Sequence, residues 1–320
     1  MPPLPGRREF LQRLSLLPLC TAAGMSVIGP NSSIGASQPA PAALSKLRLS
    51  LNAFSFNQLL LDGLQGKTPG LSLFDVLDFC AAHDFDAIDP TGYYFPGYPA
   101  VPDEAFLYHF KRRAFQLGIA ISGTGIRNDF ATPDETQRAA DVRRAKAWIE
   151  VAARLGAPVI RLFAGAVPKG YEQKWSEVAA WLAAALRECA EHGAKFGVLV
   201  GVQNHGDMLQ NAEQTIALVK MVDSPWFGVI VDTGNMQTED PYRDIARVVP
   251  YAVNWQVKES PRGPNSPERT DLSRLIGIIR EGGYRGYLPI ETLAAEGKPY
   301  DPMALVPQFA AEVRAAISAG

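Results

Sequence analysis

The amino-acid sequence predicts an α/β protein built as a single (β/α)8 TIM barrel. First, short apolar runs alternate with helical stretches from residue 47 to residue 318, with no long linker. Second, four runs in the C-terminal half each end in a polar residue: VLVGVQNH (Val198 to His205), FGVIVDTGN (Phe227 to Asn235), AVNWQVKES (Ala252 to Ser260) and GYLPIETL (Gly286 to Leu293). Strands buried on both faces read as such apolar runs, and the carboxyl ends of barrel strands build the active site. Third, no internal repeat with a period of about 34 or 45 residues is present, which argues against a solenoid. The alternative is a doubly wound open sheet. No Gly-x-Gly-x-x-Gly follows any strand, which weakens a dinucleotide-binding version of it.

The elements follow in order. LRLSLNAFSF (Leu47 to Phe56) reads as the first strand, and LSLFDVLDFCAAH (Leu71 to His83), apolar at helical spacing, as the first helix. FDAID (Phe85 to Asp89) is the second strand. The segment Pro90 to Pro102 is too rich in Pro, Gly and Tyr to be helical, and Asp103 then starts a helix to Leu117. IAISGTGI (Ile119 to Ile126) is the third strand. A long helix to Leu155 follows, with Thr132 as its expected cap and Pro133 at its first position. PVIRLFAG (Pro158 to Gly165) is strand four, and Trp175 to His192 the helix after it. The four runs named above are strands five to eight. Helices near Asn211 to Val222, Tyr242 to Val249, Asp271 to Glu281 and Met303 to Ser318 separate and follow them.

Residues 1–43 read as a leader, leaving 44–320 for the barrel. GRREFLQRL (Gly6 to Leu14) resembles a twin-arginine export signal, with Arg7-Arg8 followed by Phe10-Leu11. The apolar stretch Leu14 to Ile28 is shorter than the roughly 20 residues of a membrane-spanning helix. A tract rich in Ser, Ala, Pro and Gly follows and has room for a cleavage site. The expected location is therefore periplasmic, reached by a route that carries folded proteins, with no membrane association once the leader is gone. The formal net charge is −2, and removing Arg7, Arg8, Arg13 and Glu9 makes the remainder slightly more acidic. That excludes the basic face of a nucleic-acid binder. The three cysteines cannot form a disulfide framework. Cys80 and Cys189 fall on predicted helices as small buried apolar residues. Self-association is left open.

Strand side chains alternate in and out. If Asp232 points inward, the same parity turns Gln203, Gln256 and Glu291 inward and Val202, Trp255 and Ile290 outward, and brings His205 and Lys258 to the inner rim. Two carboxylates and two amide oxygens at one rim suit a divalent cation such as Mg²⁺, Mn²⁺ or Ca²⁺ and a polyhydroxylated ligand. Zinc asks for more nitrogen or sulfur. Arg161 on strand four has two readings, contact with a substrate oxygen or pairing with an inward carboxylate. Asn52 and Asp89 are rim positions with the same two readings. The loop Thr91 to Tyr98, with Tyr93 foremost, is either a lid that stacks on a sugar ring or an apolar plug. Asn204 and Asn235 are candidates to contact substrate or to orient its neighbours by hydrogen bonds. His83, His109 and His192 lie on or near predicted helices, away from the rim.

The motifs GVQNH, VDTGN, NWQVKE and GYLPIET resemble those of the sugar phosphate isomerase/epimerase family of xylose-isomerase-like TIM barrels, in its exported branch. The resemblance spans the predicted barrel and is most specific from Gly201 to Thr292. It implies a site of Glu, Asp, His and Glu on strands five to eight around one divalent metal. By position these fall on Gln203, Asp232, Gln256 and Glu291, so two of the four differ. The implied reaction is proton abstraction beside a carbonyl, giving an enediolate, then reprotonation. Gln203 cannot act as a base. Glu291 remains as the carboxylate for that role, with His205 as its partner, since imidazole titrates near about 6.5. Lys258 is the other candidate partner if burial lowers its pKa, or else it pairs with a substrate oxygen or with Glu259.

The sequence thus favours a sugar isomerase or epimerase acting on an unphosphorylated keto-sugar or hydroxy-carbonyl compound. Export and the absence of a Gly-rich phosphate cradle argue against a sugar phosphate. A keto-glycoside lyase using the same base, and a non-catalytic sugar-binding protein with a metal-free polar pocket, are the competing readings. An abasic-site endonuclease needs a histidine-rich zinc cluster, and only His205 reaches the rim.

Overall fold

A computed structural model of the chain describes residues 46–205 and 208–319, so the leader and its export motif lie outside the described residues. Nine parallel strands form one nearly closed cylinder: β1 (Arg48–Asn52), β2 (Ala87–Asp89), β3 (Ala120–Ile121), β4 (Thr124–Gly125), β5 (Val159–Phe163), β6 (Leu199–Gln203), β7 (Phe227–Asp232), β8 (Ala252–Lys258) and β9 (Tyr287–Glu291). Their order is β3-β2-β1-β9-β8-β7-β6-β5-β4. Strands β3 and β4 are the two halves of the predicted third strand. A parallel bridge from Thr91 to Gly125 joins the two ends of the sheet. This is the (β/α)8 plan with one strand broken, and the open-sheet alternative falls.

Polar side chains line the break. Ser122 turns its hydroxyl inward, 2.7 Å from the hydroxyl of Ser50, and donates to the carbonyl of Ile88 at 3.2 Å. The Ser122 N–H keeps its own bond to that carbonyl at 2.8 Å, and the Ser122 carbonyl accepts from the Asn254 side-chain amide at 3.1 Å. The first strand is likewise shorter than its apolar run. The Asn52 carboxamide accepts the Phe54 N–H at 2.9 Å, and a 3₁₀ turn (Ala53–Phe56) leads into α1 (Asn57–Leu64), a helix the sequence reading missed.

The remaining helices form the outer layer: α2 (Leu73–Ala82), α3 (Glu104–Leu117), α4 (Glu135–Leu155), α5 (Trp175–Phe196), α6 (Ala212–Val222), α7 (Pro241–Val248), α8 (Leu272–Glu281) and α9 (Pro302–Ala319). Among the described residues no helix is long and apolar enough to cross a membrane. Helix α4 is capped by Asp134 rather than Thr132. The Asp134 carboxylate accepts the N–H groups of Thr136 and Gln137 at 2.8 and 3.2 Å, satisfying two donors of the first turn. Between strands and helices the core is apolar. Trp255 faces outward as the parity requires, with its ring edge-on to Tyr284, their centroids 5.7 Å apart. Phe95 sits edge-on to Trp148 at 5.6 Å and to Phe106 at 5.7 Å. Cys80 and Cys189 are buried free thiols, and burial pushes the pKa of both up.

Candidate active site

The register of the last four strands sets the site. Asp232 stands opposite Gln256, and Lys258 opposite Glu291. Gln203, Asp232, Gln256, Lys258 and Glu291 all face one cavity of about 440 Å³ at the carboxyl ends of the strands. All five side chains are buried. A cavity of this size is of the order that holds a sugar-sized ligand.

Within the cluster every polar contact is specific. The Gln203 amide nitrogen donates to Asp232 Oδ2 and to Gln256 Oε1, both at 2.6 Å. The carboxylate of Asp232 only accepts, so it holds the nitrogen end of Gln203 on that side and the oxygen end outward. The second Asp232 oxygen accepts the Gly234 N–H at 2.9 Å. Lys258 Nζ is in direct contact with Glu291 Oε1 and lies 3.4 Å from Asp232 Oδ2. Burial works against the ammonium, but the charges of Asp232 and Glu291 outweigh it and hold the Lys258 pKa above the ordinary lysine value. The condition set for Lys258 as an acid–base, a pKa lowered by burial, is therefore not met. The pairing with Glu259 is also wrong: Glu259 faces away and binds Arg269 at 3.1 Å.

The rest of the wall comes from β1, β5 and the loop after β2. Arg161 lies over the Phe163 ring, 4.1 Å from its centroid, and its Nη2 donates to the Tyr93 hydroxyl at 2.8 Å. Gly125 makes room for it, because a Cβ there would stand 2.7 Å from Arg161 Nε. Tyr93 lines the cavity, whereas Tyr94 and Phe95 are buried, so this loop is part lining and part plug. Asn52 and Asn235 line the cavity too. His205 reaches its edge, exposed, with its ring edge-on to Phe163 at 5.0 Å.

Asn204 and Asp89 do not line the cavity, and Asn204 takes the orienting role that was its other reading. Asn204 is fully buried behind the cavity. Its side chain bonds both backbone groups of Asp232, at 2.8 and 2.9 Å, and so locks β6 to β7. Asp89 is buried and does not line the cavity, although it stands opposite Asn52, which does. Burial is the main cause that raises its pKa from 3.8 to about 7, opposed by Arg161 and assisted by Glu291. Sequence reasoning missed Arg127, Asn128 and Asp129, which line the cavity from the segment after β4. Asn128 mimics a strand residue: its carboxamide both donates to and accepts from the backbone of Phe163, at 2.7 and 2.9 Å. The signal was there, a polar Arg-Asn-Asp directly after an apolar run.

Two polar atoms in the cavity wall are buried without a hydrogen-bond partner: Arg161 Nη1, a donor, and Gln203 Oε1, an acceptor. Buried polar groups are nearly always satisfied. Each is thus a place for a ligand group, an oxygen acceptor at Arg161 and a hydroxyl at Gln203.

Residues 77–312 match the xylose isomerase-like TIM barrel family. The chain belongs to that family. Among solved structures, D-psicose 3-epimerase from Clostridium cellulolyticum H10 is similar at a TM-score of 0.68, with 16% identity over 84% of this chain and 99% of that one. An L-ribulose 3-epimerase gives 0.67, with 18% identity over 85% and 95%. A 3-keto-D-glucoside 4-epimerase from E. coli gives 0.65, with 12% identity over 84% and 100%. At these identities the likeness shows the shared fold.

The divalent metal implied by the resemblance does not suit the residues present. Among the described residues, no group of three or more His, Cys, Asp or Glu side chains is placed to hold a metal ion. The two carboxylates that do converge are engaged by Lys258 and Gln203, and Gln203 presents its NH₂ group where a ligand oxygen was expected.

Proposed function

We propose that this protein is a sugar isomerase or epimerase acting on an uncharged, unphosphorylated keto-sugar or related hydroxy-carbonyl compound. The carrying observation is the convergence of Glu291, Lys258 and Arg161 on one cavity that also offers an unpaired donor and an unpaired acceptor. The charged lining supports an uncharged ligand, since Arg127, Arg161 and Lys258 face Asp129, Asp232 and Glu291 in equal number. The twin-arginine motif at Arg7-Arg8 and a location outside the cytoplasm belong to the same reading, because sugar phosphates are cytoplasmic metabolites.

In this mechanism the substrate carbonyl oxygen accepts from Arg161 Nη1, and a neighbouring hydroxyl donates to Gln203 Oε1. Glu291 takes the proton from the carbon beside the carbonyl. The negative charge that develops on the enediolate oxygens lies against the Lys258 ammonium and the Arg161 guanidinium, fixed positive charges in a site sheltered from water. His205, at the open edge, returns a proton to the other face. Return to the same carbon inverts it, and return to the neighbouring carbon, with that carbon's hydroxyl proton passed to the former carbonyl oxygen, isomerises the sugar.

The test is solvent-deuterium exchange at the α-carbon across a panel of keto-sugars, followed by NMR. The wild-type protein is expected to exchange on its substrate. Glu291→Gln, with an unchanged circular dichroism spectrum, is expected to lose about 10²–10⁴-fold in rate. Unchanged exchange in that variant removes Glu291 from the mechanism. Saturable binding with no exchange in the wild type favours a sugar-binding protein, and a change of product mass favours the lyase.

A further inference from the structure

We propose that the ε-ammonium of Lys258 is the resident cation of this site, and that the site takes no divalent metal. The proposal rests on the geometry of the cluster and not on the reaction.

Lys258 follows Gln256 by two residues on β8, so both side chains leave the same face of the strand. The Lys258 stem passes over the backbone of Gly234. A Cβ at Gly234 would lie 2.8 Å from Lys258 Cγ, so any other residue there would block that path. The path ends with Nζ between the carboxylates that close β7 and β9, in contact with Glu291 and 3.4 Å from Asp232. The backbone that carries it is pinned on both sides. The Lys258 N–H donates to Thr233 Oγ1 at 2.9 Å, and its carbonyl accepts from Thr270 Oγ1 at 2.7 Å.

A hard divalent cation needs six or more oxygen lone pairs around one point. Here four of the oxygens in the cluster already hold protein N–H groups, which leaves Gln203 Oε1 unpaired. Asp232 Oδ2 and Gln256 Oε1 accept from Gln203, Asp232 Oδ1 accepts from Gly234, and Glu291 Oε1 accepts from Lys258. The charges agree. Glutamine in place of glutamate at position 203 removes one negative charge, and an ammonium in place of a divalent ion removes one positive charge. The two differences offset each other and leave the cluster with the same net charge.

The experiment is calorimetric titration of the chelator-dialysed full-length protein with Mn²⁺, and then with Mg²⁺ and Ca²⁺. The wild type is expected to show no binding that depends on Asp232, and its melting temperature is expected to be indifferent to chelator. One Mn²⁺ per chain that disappears in Asp232→Asn overturns the proposal. Binding that survives in that variant lies elsewhere and agrees with it. In Lys258→Met the repelling charge is gone, so Mn²⁺ affinity is expected to rise about tenfold or more. A folded Lys258→Met protein that binds Mn²⁺ no better than the wild type overturns the role assigned to Lys258. If that variant does not fold, the wild-type titration alone decides. The readout is metal binding, so failure here is distinct from failure of deuterium exchange.

Discussion

Asp89 makes the stability of this protein fall as pH rises through the weakly acidic range. Its carboxyl is buried and keeps its proton until about pH 7, whereas in the unfolded chain it ionises near 3.8. The sign follows directly. At pH values below both, folded and unfolded chains carry the same proton and the group is neutral in its effect on pH dependence. Above 3.8 the unfolded chain releases the proton and the folded chain does not, so unfolding is increasingly favoured until the folded carboxyl also ionises. The interval from 3.8 to about 7 corresponds to about 4 kcal/mol in all. Roughly 2 kcal/mol of that falls between about pH 5 and pH 7. Asp89→Asn keeps the shape and removes the ionisation. Urea unfolding of both proteins across this window isolates the contribution, because other titrating groups cancel in the difference. The wild type is expected to lose roughly 2 kcal/mol relative to the variant as pH rises, with the gap constant above about pH 8. Parallel curves would mean that Asp89 is ionised in the folded protein, and the account of its burial would fail.

Two further outcomes follow from single contacts. Asn204→Ala removes both bonds to the Asp232 backbone and leaves buried groups unpaired, so a loss of about 2–4 kcal/mol is expected by denaturant midpoint. A loss under about 0.5 kcal/mol would show that β6 and β7 do not depend on this tie. Asp134→Ala removes the cap of α4 and is expected to cost about 1 kcal/mol, while Thr132→Ala is expected to cost less; thermal melts that rank the two in reverse would return the cap to Thr132.

Much of the barrel was readable in the chain because parallel strands buried on both faces must be apolar throughout, and their polar ends mark where burial stops. Residue parity then placed Gln203, Asp232, Gln256 and Glu291 correctly, since alternation depends only on the pleat. What parity lacks is reach. It turned Lys258 inward, but a four-carbon side chain has many end points, and only the position of Gly234 and the two carboxylates selects one. Asp89 shows another limit: it stands opposite Asn52, which lines the cavity, yet its own buried side chain does not. The Arg127 to Asp129 segment was overlooked because it has no period of its own; Asn128 completes the wall through side-chain bonds to Phe163 rather than through a backbone ladder.

The interrupted third strand has a mechanical consequence. Strands β3 and β4 are two residues each, and the cylinder is joined there through a few pairs and the Thr91–Gly125 bridge. A seam with so few backbone bonds opens before the long ladders of β7 and β8. Its amides are the ones that hydrogen exchange would mark first, while the opposite side of the cylinder stays shut. Tyr93 and Arg161 flank that seam and line the cavity, so small opening motions there would widen it on that side and leave Asp232 and Glu291 in register.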